Sequence, residues 1–167
     1  MKKHLGKATF GGVCGFNAGV ISNCELTSLT MVASGRAGGI AGFNDGEVSN
    51  CNIYSIYLTY ELVDNIYDYP HCNGCIGGCV GFNRLGSVSG CYTSGTIFWD
   101  NKTDNNRDIY PSIGKVVGLN SNGGIVNKCS SDIKPILQYF YWFFIGWYDQ
   151  SSHCFKVENG LIGYQES

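Results

Sequence analysis

The sequence is short of cationic charge, of an export signal and of long apolar runs, and each shortage removes a class of function. Among 167 residues there are 11 Lys and Arg against 13 Asp and Glu, a formal net charge of −2. The basic residues are scattered, and their one small cluster, Lys2, Lys3 and Lys7, is terminal. A nucleic-acid surface needs a basic patch or stripe to neutralise phosphates, so no nucleic-acid partner is expected. After Met1 and the lysines that follow it there is no apolar run of the ~7–15 residues that a secretory signal carries. If Met1 is the native start, the expected location is the cytoplasm; as a piece of a longer exported chain, the same residues would be secreted or sit at a cell surface. The longest apolar segment, Ile136–Tyr148, is too short for the ~20 residues of a membrane helix, so no membrane span is expected.

What the sequence has in excess is glycine, 24 of 167 residues, about twice the usual ~7%. The excess sits in a motif that is written four times: FGGVCGFNAGVISNC from Phe10, AGGIAGFNDGEVSNC from Ala37, IGGCVGFNRLGSVSGC from Ile76 and IGKVVGLNSNGGIVNKC from Ile113. The third glycine falls at Gly15, Gly42, Gly81 and Gly118, at intervals of 27, 39 and 37 residues. Units this short cannot bury an apolar face alone and must stack to form a continuous core. Their apolar runs are two or three residues long, rich in β-branched side chains and bounded by Gly or Asn, which suits short strands and tight corners. The expected fold is all-β: a parallel β-solenoid (β-helix) of about four coils in one domain spanning 1–167. Residues 1–9 are read as a tail or partial cap, 10–134 as the coils and 135–167 as a capping segment.

The motif resembles the GLUG repeat of bacterial surface and secreted proteins, whose wording is close to GGLVGxNxGxIxNC. The resemblance covers four segments, roughly 60 of the 167 residues. It implies β-solenoid coils, a scaffold role often adhesin-like, and a bacterial or phage origin; it carries over no catalytic residue.

Motif positions become columns when coils stack. One member of each pair Val13/Cys14, Ile40/Ala41, Cys79/Val80 and Val116/Val117 is expected to face inward and its neighbour outward. Phe16, Phe43, Phe82 and Leu119 form an apolar column, and Asn17, Asn44, Asn83 and Asn120 suit an amide ladder, Asn also tolerating a left-handed corner. Nine cysteines are present, and Cys24, Cys51, Cys91 and Cys129 share one motif position. Neighbours in such a ladder lie within disulfide reach but point the same way, which favours reduced, packed thiols.

Because the first two copies close in 27 residues, the 10 to 12 extra residues of the later intervals should leave the stack as two inserts on one side, next to each other. The first lies within Tyr54–Cys75 and carries Tyr54, Tyr57, Tyr60, Tyr67 and Tyr69 with Glu61, Asp64 and Asp68. The second lies within Phe98–Pro111 and carries Trp99, Asp100, Asp104, Arg107, Asp108 and Tyr110. Dense Tyr, Trp and Asn is the composition of binding loops, so Tyr60, Tyr67, Tyr69, Trp99, Asp104, Arg107 and Tyr110 are the expected contact residues. Ile136–Tyr148, apolar on both faces, is read as a strand-like cap whose outer face offers a homo-oligomer contact. His71, Cys72 and Cys75 form half of a zinc set without its complement, and the acidic residues lack a defined catalytic separation. No metal, cofactor or catalytic residue is therefore predicted.

The reading that absorbs most of these features is a noncatalytic protein-binding module, in concrete form a small bacterial or phage-encoded inhibitor. A surface adhesin repeat and a carbohydrate-active β-helix protein are the alternatives. In solution, far-ultraviolet circular dichroism should show strand with little helix; a helix-dominated spectrum would sink the solenoid reading.

Overall fold

In the computed structural model, the described residues are 8–61, 74–101, 112–121, 123–139 and 162–165, with the backbone alone described at 99–101, 135–139 and 162–165. The described chain is strand and corner with no helix. A first pass runs through β1 (Thr9–Gly11), β2 (Cys14–Asn17), β3 (Val20–Ser22), β4 (Glu25–Leu26) and β5 (Leu29–Ala33). The second pass holds β6 (Arg36–Gly38), β7 (Ala41–Asn44), β8 (Glu47–Ser49) and β9 (Asn52–Glu61). The third holds β10 (Cys75–Gly77), β11 (Val80–Asn83), β12 (Ser87–Ser89) and β13 (Tyr92–Asn101). The fourth holds β14 (Ser112–Gly114), β15 (Val117–Asn120), β16 (Ile125–Asn127) and β17 (Ser130–Tyr139), and β18 (Ile162–Gln165) follows.

Equivalent strands of successive passes pair in parallel, giving four sheets, A to D, with the orders β1-β6-β10-β14, β18-β15-β11-β7-β2, β16-β12-β8-β3 and β17-β13-β9-β4, β5 also pairing with β9 in the last. All registered pairs are parallel and motif positions stand directly over one another, as with Phe16↔Phe43, Phe43↔Phe82 and Phe82↔Leu119. This all-β arrangement, parallel and in register, is consistent with a β-solenoid. Sheet B has five strands rather than the four that the motif count predicts, because β18 places Ile162, Tyr164 and Gln165 over Val117, Leu119 and Asn120. Gly160-Leu-Ile-Gly-Tyr-Gln165 is thus a fifth, altered writing of the G-φ-φ-G-F-N core. Of the expected cap, 135–139 continue β17 and 162–165 form β18; the rest lies outside the described residues.

The expectation that paired apolar residues split between inside and outside holds on the first pass, where Val13 is exposed and Cys14 packs against the core, and is corrected for the other three pairs. Ile40 and Ala41, Cys79 and Val80, and Val116 and Val117 are all fully buried. The first of each pair sits on the bend that joins sheets A and B and the second opens the next strand, so the corner, rather than strand alternation, sets both directions. The second glycine of the motif makes that corner stackable: a Cβ on Gly39 would lie 2.3 Å from the carbonyl oxygen of Gly78, and one on Gly12 the same distance from that of Gly39. The left-handed residues are also not the ladder asparagines. The left-handed position that repeats from pass to pass is instead the residue directly before each motif cysteine, Asn23, Asn50, Gly90 and Lys128, with φ between 51° and 62°.

The amide column is a continuous hydrogen-bonded ladder. Asn17 Nδ2 donates to Asn44 Oδ1 at 2.7 Å, Asn44 to Asn83 at 2.8 Å and Asn83 to Asn120 at 2.6 Å. Each amide also braces its own turn, as Asn83 Nδ2 does on the Gly86 carbonyl at 2.9 Å. Removing an inner rung strands a buried acceptor on one side and a donor on the other. Asn83→Ala should therefore cost about 3 kcal/mol, and Asn17→Ala, at the end of the column, about 1 kcal/mol. Urea unfolding measures both; equal costs would mean that the ladder does not act as a chain.

Candidate functional site

The ten-residue strands of sheet D bring the chain's departure points together. β9 and β13 are paired to their ends, with Trp99↔Tyr60 and Asp100↔Glu61, and β13 to β17 as far as Asn101↔Tyr139. The chain re-enters sheet A with Cys75 opposite Ser112. Segments 62–73 and 102–111, outside the described residues, therefore leave from adjacent strands and return to adjacent strands. The first is shorter than composition suggests, because Tyr54 to Glu61 belong to β9.

Sheet D has one apolar face and one exposed face. Ile53, Ile56, Leu58 and Tyr60 point into the core, whereas Tyr54 and Tyr57 remain 37% and 46% exposed. A register shift separates these sets. Between Thr93 and Gly95 the pairing slips, so that Tyr54 and Ser55 together face Ser94, with Ser55 left-handed at φ 54°. Gly95, at φ 128°, is required opposite this bulge, since a Cβ there would lie 2.1 Å from the Ile56 carbonyl oxygen. Bulges re-aim side chains. Here the Tyr54 ring meets that of Tyr92 at 5.6 Å, and the Tyr92 hydroxyl donates to Asp132 Oδ2 at 2.8 Å. That carboxylate raises the Tyr92 pKa above its ordinary value.

Of the sequence-predicted contact residues, Tyr60 is corrected. It is fully buried, and its ring lies so close over Gly74 that a Cβ there would be 2.5 Å from the hydroxyl, so it fills the junction where the chain re-enters sheet A. Trp99 lies in β13 between Tyr60 and Leu137 in register. Tyr67, Tyr69, Asp104, Arg107 and Tyr110 lie outside the described residues, as do His71 and Cys72. Cys75 is buried in a second cluster with Phe43, Phe82 and Leu119, and Cys79 is buried in the main core. The exposed group that sequence reasoning missed is Tyr92 with Asp132; only the bulge reveals it.

A further polar cluster lies on sheets A and B. The Arg36 guanidinium sits 4.8 Å from the Phe43 ring centre and 5.0 Å from that of Phe82, and Arg84 lies 5.2 Å from Phe43. Arg84 also forms a two-point ion pair with Asp45, its Nε donating to Oδ1 at 3.0 Å. Cations above aromatic faces cover an apolar column that would otherwise meet water.

The thiols Cys24, Cys51, Cys91 and Cys129 repeat with the strands and are free. Each Sγ approaches the carbonyl two residues earlier, at 3.6, 3.3, 3.3 and 3.2 Å in that order, so the four side chains share one orientation. Burial, followed by contact with Cys91 and Cys24, pushes Cys51 up to about 11. At Cys91 the hydrogen bond with Cys129 pulls downward, but that with Cys79 and burial push harder, and the net is a rise to about 12. Cys129 is raised too, first by its hydrogen bond with Cys91 and then by burial.

The sign of the resulting pH dependence follows from linkage. An unfolded thiol ionises near 9.0 while the folded ones hold their protons to about 11 and 12. Their stabilising contribution is therefore complete below about pH 9 and is lost as pH rises from there through the folded pKa values, with Tyr92 adding in the same direction. The urea midpoint should be flat up to about pH 9 and fall above it, less steeply in a Cys51→Ala, Cys91→Ala protein. An equal slope in that variant would show that the ladder is not what titrates. Compared with protein-family models, with curated proteins and with solved structures, the chain matches none.

Proposed function

We propose that this chain is a noncatalytic protein-binding module built on a GLUG-like β-solenoid scaffold, in concrete form a small bacterial or phage-encoded inhibitor that occupies the surface of another protein. The observation that carries this reading is the in-register ending of β9 and β13, Glu61 opposite Asp100, with the return at Cys75 opposite Ser112. Two segments rich in Tyr, Asp and Asn are thereby anchored side by side on a rigid sheet, which is where binding residues concentrate. The exposed face of sheet D continues that surface with Tyr54, Tyr57 and the Tyr92–Asp132 pair. The interior supports the same reading from the other side: the ladder asparagines are committed to hydrogen bonds within the stack.

Aromatic and Arg anchors dominate interface energies when they are desolvated. Tyr57→Ala, Tyr67→Ala, Tyr69→Ala, Trp99→Ala and Arg107→Ala are the single substitutions to make, together with shortening of 62–73 or 102–111. Loop closure changes slowly with length, so the shortened chains should stay folded. A partner recovered by co-purification and identified by mass spectrometry should lose about 2 kcal/mol or more of affinity on removal of an anchor, while the thermal midpoint of the chain is unchanged. If every one of these proteins binds as tightly as the parent, the partner docks elsewhere, and the segment from Ile136 to Tyr148 is the next surface to alter.

A further inference from the structure

We propose that the column formed by Cys24, Cys51, Cys91 and Cys129 is a binding site for thiophilic, two-coordinate d10 metal ions, Cu(I) being the cellular representative, each ion held linearly between the sulfurs of adjacent strands. The side chains are already arranged for it. The cross-strand contacts repeat as the intrastrand ones do, with Cys51 Sγ 3.9 Å from the Ile21 carbonyl oxygen, Cys91 Sγ 3.9 Å from that of Val48 and Cys129 Sγ 3.7 Å from that of Val88. The four cysteines stand on the corners just before β4, β9, β13 and β17, and corners that stack with their parallel strands repeat at about 4.8 Å. With the zinc–thiolate length of about 2.3 Å as an upper guide, two metal–thiolate bonds placed end to end span at most about 4.6 Å. A linear S–metal–S unit therefore matches the repeat of the sheet itself.

The same geometry selects against other ions. Among the described residues, no three His, Cys, Asp or Glu side chains converge on a point that could hold a metal ion. Tetrahedral zinc needs four such donors, and hard cations need a shell of oxygens that this apolar cluster of Ile, Val, Leu and Cys does not supply. Soft thiolate donors in pairs are what Cu(I) takes. Cys51 and Cys91 are buried, and a bound cation supplies the positive charge that makes their thiolates tolerable there. In the binding step each S–H bond breaks heterolytically. The proton goes to solvent, the sulfur lone pair forms the S–Cu bond, and copper stays Cu(I), so no electron is transferred. Entry is from the ends, where Cys24 and Cys129 are partly exposed while Cys51 and Cys91 between them are buried.

The test uses the reduced full chain, titrated with Cu(I) under anaerobic conditions against a colorimetric Cu(I) chelator. X-ray absorption of the loaded protein should show two sulfur ligands per copper, and the thermal midpoint should rise. A Cys72→Ser, Cys154→Ser protein, altered outside the column, should keep both properties. Cys51→Ala with Cys91→Ala, which leaves no two column thiols adjacent, should weaken the apparent affinity about tenfold or more, because losing a ligand costs at least what losing a supporting outer group does, and should abolish the thermal shift. Cys24→Ser with Cys129→Ser, which changes only the partly exposed thiols and leaves the Cys51–Cys91 pair, should bind fewer copper ions per chain with a smaller thermal shift, and covers the case in which the core variant does not fold. Three or four sulfurs per copper, nitrogen or oxygen ligands, a midpoint lowered by copper, or copper binding unchanged in both column variants would each overturn the proposal.

Discussion

Everything in this fold follows from stacking one strand directly on the next in parallel and in register. At a spacing of about 4.8 Å, a side chain's nearest neighbours are the residues at its own motif position above and below. A position can then hold only a residue type that tolerates itself as a neighbour. Amides satisfy one another, which is why Asn17, Asn44, Asn83 and Asn120 persist as a ladder with donors and acceptors alternating along it. Aromatics pack tilted or edge-on, as Phe16, Phe43 and Phe82 do at 5.3 and 5.0 Å. Thiols pack as small apolar groups. A charged column would repel itself, and at Arg36 and Arg84 the cation stands against an aromatic face, with Asp45 opposite Arg84.

That constraint also explains what the sequence disclosed. Identical neighbours require repeated letters, so the columns, the parallel all-β architecture and the side on which the extra residues leave were all readable from four copies of one motif. Features that break the repeat were not. Tyr54 and Tyr57 face out while Tyr60 faces in because Ser55 adds a residue opposite Ser94 and resets the alternation, a slip that no residue type announces. The fifth copy was hidden because Tyr164 replaces Phe, Gln165 replaces Asn, and the stretch between Gly118 and Gly163 is longer than any earlier interval. The burial of both Ile40 and Ala41 depends on a corner, and corners belong to the path between sheets rather than to the period of either strand.

The division between scaffold and proposed surface has the same origin. Inside the stack a substitution is felt by the strands on both sides, so the interior cannot vary one residue at a time to suit a partner. On the exposed face of sheet D a residue such as Tyr54 or Tyr57 has solvent on one side and can change alone. Binding chemistry is free to diverge there without disturbing the columns.

Stacking makes the ends of the columns unlike their middles. Along the aromatic column, exposure falls from 55% at Phe16 to 7% at Phe43 and 1% at Phe82, and Val13 and Val20 on the first pass are likewise exposed. A strand with neighbours on both sides is held by two interfaces and an end strand by one, so the stack opens from its ends inward. The thiol column follows the same gradient, with Cys24 partly exposed and Cys51 and Cys91 buried. Anything that reaches the buried thiols therefore passes the first strand pair or the last, and an ion that bridges Cys24 to Cys51 would close the end that opens most readily. Metal affinity and resistance to fraying at β1 to β5 are in that case coupled, because among the described strands the first pass pairs only with the second, which supplies the second ligand.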